Sequence, residues 1–155
     1  MDKTEHSQVH IKIMEECITL AKIAMENGNF PVGSVVVKNN VIVGKASEAG
    51  KSSNDITKHA EIEAIKDALK NLEPGNLEDC DLYTTHEPCL MCSYVIRHHK
   101  LRTVIYGVPV DHVGGITSNL KVMLTTEVPK WGKPPVIIDH VLREECEQLA
   151  NEYIN

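Results

Sequence analysis

One histidine and one cysteine pair, far apart in the chain, limit what this polypeptide can fold into more than any other feature. His59-Ala60-Glu61 and Pro88-Cys89-Leu90-Met91-Cys92 are separated by residues 62–87. An imidazole and two thiolates are good ligands for zinc, and a three-ligand set leaves the fourth tetrahedral position open to water. For the three side chains to meet, the fold has to bring both stretches to one point. Helix starts suit this, because their unpaired N–H groups and the positive end of the macrodipole stabilise thiolates. Cys89 and Cys92, one turn apart, can then face the same point. His59 and Glu61 would not share a side inside a helix, but in a first turn both can converge on something beyond the helix end. Glu61 is left free to move protons to and from the water instead of binding metal. The expectation is two helix starts facing one another with one zinc ion per subunit between them.

Hydrophobic periodicity supplies the rest of the frame. Ile11, Met14, Ile18, Ala21 and Met25 recur at helical spacing and Asn27-Gly28 stops them, which predicts a first helix over 9–27. Val32–Val37 and Val41–Val43 around Asn39-Asn40 read as a hairpin, with Gly33 and Gly44 as local irregularities. The polar stretch 45–54 reads as a loop leading to a helix over 59–71, closed by Pro74-Gly75. A strand at 81–85, a helix at 89–98 and a strand at 103–106 form a strand-helix-strand unit, which needs a parallel crossover and makes the sheet mixed. A glycine-rich loop over 107–118, a short helix at 120–125, a strand at 136–138 and a last helix over 141–153 complete the chain. With no repeat or linker, 155 residues suit one α/β domain with helices on both sheet faces.

Composition narrows the class. No run of about 18 apolar residues exists and the start lacks a basic-then-apolar signal, so the chain is expected in the cytoplasm. Five cysteines, two of them in Cys-x-x-Cys, fit reduced thiols and a metal better than a disulfide framework. A Cys-x-x-Cys also occurs as half of a structural zinc knot or a redox pair. A knot wants a fourth protein ligand, and Cys80 would lie about 20–30 Å from Cys89 along an extended strand. Cys17, Cys80 and Cys146 therefore read as core, and His86 reads as a pocket wall rather than a fourth ligand. The net charge of −6 and the absence of a basic stripe favour small substrates over long polyanions; the most basic stretch is Arg97-His98-His99-Lys100-Leu101-Arg102.

These residues carry a resemblance. His59-Ala60-Glu61 followed by Pro88-Cys89-Leu90-Met91-Cys92 is similar to the signature of the zinc-dependent cytidine deaminase superfamily. Asn54-Asp55, Ile62, Ala64-Ile65 and the run Leu82-Tyr83-Thr84-Thr85-His86-Glu87 resemble its branch of bacterial guanine deaminases and tRNA-specific adenosine deaminases. Phe30 to Val37 resembles that branch's first strand, and Val141 to Cys146 the closing helix of the tRNA enzymes. The resemblance implies a three-layer α/β/α fold with a five-stranded mixed sheet, and usually a homodimer. It also implies hydrolytic deamination: water attacks the ring carbon bearing an amino group, Glu61 moves the protons, and ammonia leaves.

Departures from that pattern bear on the substrate. Counted back from His59, Glu48 stands where the branch usually has a base-reading asparagine. An amide donates and accepts, whereas a carboxylate only accepts, so Glu48 would suit a substrate edge rich in N–H donors. The frequent Asp-Pro-Thr-Ala before the histidine is Asp55-Ile56-Thr57-Lys58 here, and His86 replaces a common leucine. Phe30 is read as pocket lining or core. Three readings follow, in this order: a deaminase of a free base or nucleoside such as guanine or cytosine, a tRNA-specific adenosine deaminase making inosine in the anticodon, and a non-enzymatic zinc-stabilised binding module.

Overall fold

The computed structural model describes residues 3–72 and 76–154, with side chains from residue 8 onward. The expected helix stop at Pro74-Gly75 lies outside the described residues. Five helices surround a five-stranded sheet in the order α1 (Lys3–Glu26), β1 (Gly33–Lys38), β2 (Val41–Ser47), α2 (Gly50–Ser53), α3 (Ala60–Asn71), β3 (Cys80–His86), α4 (Leu90–His99), β4 (Thr103–Val108), β5 (Val136–Ile138) and α5 (Arg143–Ile154). The sheet runs β2-β1-β3-β4-β5. β1 is antiparallel to β2 and β3, while β3, β4 and β5 are parallel, so the sheet is mixed as expected.

Alternation along the strands decides which helix covers which face. Val36, Leu82, Val104 and Tyr106 point to one side and pack with Ala64, Ile65 and Ala68 of α3 and Ile96 of α4. Val35, Val37, Tyr83 and Ile105 point to the other and pack with Met14, Cys17 and Leu20 of α1. The buried face of α1 is Met14, Cys17, Ala21 and Ala24, while Ile11 from the expected stripe is 37% exposed. The shift follows from size, because the small residues on that face let α1 lie close over β1. At Gly33 the approach leaves no room for a side chain, since a Cβ there would overlap the backbone carbonyl of Cys17. Cys17, Cys80 and Cys146 are buried in the core, and no cysteine is in a disulfide.

Three expectations change. The loop predicted over 45–54 is shorter, because β2 runs on to Ser47 past an irregularity between Val36 and Val37, and Gly50–Ser53 forms one helical turn. α1 begins several residues before the predicted start. The short helix predicted over 120–125 is a turn instead. There the guanidinium of Arg97 takes the carbonyls of Val122, Met123 and Thr125 at 2.9–3.2 Å, groups that a helix as short as 120–125 would leave without an internal partner. Arg97, read in sequence as part of a basic stretch, is fully buried, also bonds the Gly132 carbonyl, and stacks over Trp131 at 5.1 Å.

Candidate active site

Each metal-ligand candidate sits at the start of a helix. His59 caps α3 and Cys89 caps α4, both in extended backbone conformation, and Cys92 lies in the first turn of α4. The parallel β3–β4 crossover carries α4 along the same sheet face as α3, which brings the two starts together. The side-chain donor atoms of His59, Cys89 and Cys92 lie within 4.8 Å of one another. Nδ1 of His59 is 3.5 Å from Sγ of Cys89 and 3.4 Å from Sγ of Cys92. A tetrahedral zinc with ordinary Zn–S and Zn–N bonds has an N···S edge of about 3.5–3.6 Å, so the spacing fits that ion.

The electrostatics point the same way. A hydrogen bond from the Cys92 thiol, reinforced by His59, holds the Cys89 thiol down to about 4, so Cys89 is a thiolate at neutral pH. Cys92 is pushed well up, first by sharing that proton with Cys89 and then by burial. The Cys89 thiolate raises His59 to about 9. These three groups favour positive charge between them, which a divalent cation supplies.

Glu61 occupies the first turn of α3, is 4% exposed, and faces the same cavity as His59 and Cys89. Burial pushes its carboxyl up to about 7. The cavity measures about 590 Å³, the size of a small-ligand site, and is also lined by Phe30, Glu48, His86 and the loop from Val108 to His112. A groove of about 660 Å³ lies between α1 and α5, lined in part by Glu15, Lys22, Glu145 and Glu152. It contains no metal-competent cluster among the described residues.

Glu48 turns inward, its Oε1 accepting the Ala60 N–H at 3.2 Å and its Oε2 the Gly50 N–H at 3.3 Å. It therefore satisfies one of the open N–H groups at the start of α3 while presenting its carboxylate to the cavity. Burial raises its pKa. His86 is outside the metal cluster and forms a wall, with Phe30 edge-on to it at 5.3 Å and Tyr153 edge-on to Phe30 at 5.3 Å.

Two residues that sequence reasoning did not single out hold the site together. Glu87 is 3% exposed and accepts the N–H groups of Val110, Ile116 and Thr117 at 2.8–2.9 Å and the Thr117 hydroxyl at 2.6 Å. One carboxylate thus fastens the loop after β4 against the cysteine turn. Cys89 also pairs with Gly114 there, where a Cβ would overlap the Glu87 carboxylate. The signal in sequence was an acidic residue between an apolar strand and Pro88. Asn29 is buried and grips Ser52, accepting its N–H at 2.8 Å and donating to its hydroxyl at 3.0 Å, which anchors the turn that carries Glu48.

Comparison with known proteins decides the family. Residues 7–108 match the model of the cytidine and deoxycytidylate deaminase zinc-binding region. The chain belongs to this deaminase family. The tRNA-specific adenosine deaminase of Aquifex aeolicus is 36% identical over 137 residues, 86% of this chain and 85% of that protein. The protein of the same name from Rickettsia bellii is 37% identical over 110 residues, 70% of this chain and 76% of that protein. Among solved structures, one from work on A-to-I editing by tRNA:A34 deaminases at the wobble position superposes with a TM-score of 0.81 at 28% identity, covering 88% of this chain and 96% of that one. Guanine deaminase of Bacillus subtilis superposes with a TM-score of 0.59 at 34% identity, covering 70% of this chain and 66% of that one. This deaminase is therefore a zinc-dependent hydrolase of carbon–nitrogen bonds, with the α/β fold of its relatives. Among the described residues, no helix is long and apolar enough to cross a membrane.

Proposed function

We propose that residues 1–155 work as one domain that deaminates an amino-substituted nucleobase, with its catalytic centre at His59, Cys89, Cys92 and Glu61. The observation that carries this is a cluster of three protein donors, not four, with a buried carboxyl in the same cavity. Zinc, which His59, Cys89 and Cys92 would hold, would supply a Lewis acid that activates water. Glu61 is placed to accept a proton from the attacking water and to deliver one to the departing nitrogen, so that ring C–NH2 and water become C=O and ammonia. Its carboxyl, raised to about 7, is matched to transfer in both directions near neutral pH. Phe30 and His86 wall the ring, and Glu48 would accept from a free base that carries ring N–H groups, which adenosine lacks.

Two substrates compete. The relatives support adenosine carried in tRNA, which sequence reasoning ranked second. A free base such as guanine or cytosine is supported by the Glu48 carboxylate turned into the cavity, by the net charge of −6 and by the likeness to guanine deaminase. We take tRNA first. The test is zinc-loaded protein incubated separately with tRNA and with a panel of free bases and nucleosides, following inosine by mass spectrometry and ammonia release. Inosine in the anticodon with no release from free bases is expected. Turnover of a free base alone transfers the assignment to the second reading. Silence with every substrate overturns deamination in favour of a zinc-stabilised binding module, and turnover that is unchanged in Glu61→Ala overturns the proton-transfer role of Glu61. A homodimer belongs to the same proposal and is read by light scattering.

A further inference from the structure

His86 ends β3 and lines the cavity that holds His59, Glu61 and Cys89. It is 8% exposed, and its ring is fixed by Phe30, which Tyr153 backs in turn. Its two nitrogens are treated differently by the fold. Nδ1 lies 3.2 Å from the Thr85 hydroxyl, and that hydroxyl oxygen already accepts the Gly33 N–H at 3.3 Å. Nδ1 is the one acceptor within reach of that buried hydroxyl among the described residues, so the hydroxyl proton is directed at Nδ1, which makes Nδ1 an acceptor and leaves the proton of a neutral ring on Nε2. Burial keeps the ring neutral by holding it near 4, with Glu147 opposing weakly. Nε2 is buried and has no partner among the described residues. An unpaired buried donor is destabilising, and a wall of a substrate cavity is where such a cost is recovered on binding.

We propose that Nε2–H of His86 donates a hydrogen bond to an acceptor atom of the substrate heterocycle, an imine nitrogen or a ring carbonyl oxygen, and so selects the substrate. This rests on the deaminase reading. The cavity then offers a neutral donor at the His86 wall, and it favours a ring that presents an acceptor there over one that lacks it.

Two measurements test it. Nitrogen-15 spectra of the histidine rings need no turnover; they should show His86 neutral and protonated on Nε2 between pH 6 and 8, and a proton on Nδ1 overturns the proposal. The second is a cycle of enzyme against substrate variants, using analogues that replace each ring nitrogen by C–H, or each ring carbonyl by CH2, in turn. In wild type, kcat/KM should fall roughly 10- to 100-fold for one analogue. His86→Leu should lose a similar factor on the parent substrate and nothing further on that analogue, while His86→Gln, which keeps a donor, restores the discrimination. If wild type and His86→Leu show the same losses across every analogue, the donor role is overturned alone. A wild type that turns over no member of the panel overturns the deaminase reading and this role with it.

Discussion

Residue by residue, the proposed site separates groups that would hold a metal from one that would move protons. Glu61 contributes no donor atom to the His59, Cys89 and Cys92 cluster, so replacing it should leave metal binding intact. In Glu61→Gln, kcat/KM is expected to fall roughly 10²–10⁴-fold with zinc content unchanged, measured by ammonia release beside elemental analysis. Loss of zinc in that variant would make Glu61 a structural residue. His86 makes a different prediction. Burial depresses its pKa from the ordinary 6.5 to about 4, so the folded chain binds the ring proton less well than the unfolded one. The stability tied to its neutral form is complete above about pH 6.5 and is lost as the pH falls toward about 4. His86→Leu has no ring to charge and should lose less stability than wild type across that window, by up to about 3 kcal/mol. Urea unfolding of both proteins at each pH cancels the acid effects they share, and parallel curves would refute it.

Among the elements, the segment after β4 depends on two buried charged side chains rather than on helix or strand. Arg97 gathers four backbone carbonyls, and Glu87 gathers three N–H groups and a hydroxyl. Arg97→Met keeps much of the volume but leaves those carbonyls unpaired. It should cost roughly 2–4 kcal/mol in chemical denaturation; a change under 0.5 kcal/mol would show that water replaces the guanidinium without loss. This segment also marks where the sequence was hard to read. The strands at Val35–Val37, Leu82–Thr84 and Val104–Tyr106 and the helix starts at His59 and Cys89 were legible, because apolar period and ligand spacing are local signals. The turn over 120–125 was not, because its shape is set by Arg97 reaching across from α4. Of the stripe read on α1, Met14 and Ala21 are buried, but close packing on Gly33 favoured Cys17 and Ala24 over the bulkier Ile11. Glu48 was legible as a departure, but its bond to the Ala60 N–H needed the tertiary fold.

For the molecule as a whole, the sheet brings two helix starts to one cation site, and their unpaired N–H groups and thiolate charge make that site favourable. A net charge of −6 repels a polyanion, and only the phosphates that local Lys and Arg touch release counterions, so its affinity for tRNA should fall with salt less steeply than that of a basic nucleic-acid binder, while turnover of a free base should change little. The proposed site would hold zinc by one nitrogen and two sulfurs from the chain and leave one position for water. X-ray absorption at the zinc edge of the purified protein reads that coordination shell. One zinc per chain is expected, with two sulfurs near 2.3 Å and two lighter atoms at about 2.0–2.1 Å, one of them exchangeable with added anions. A chain without zinc, or a shell of three or four sulfurs with nothing exchangeable, would contradict it.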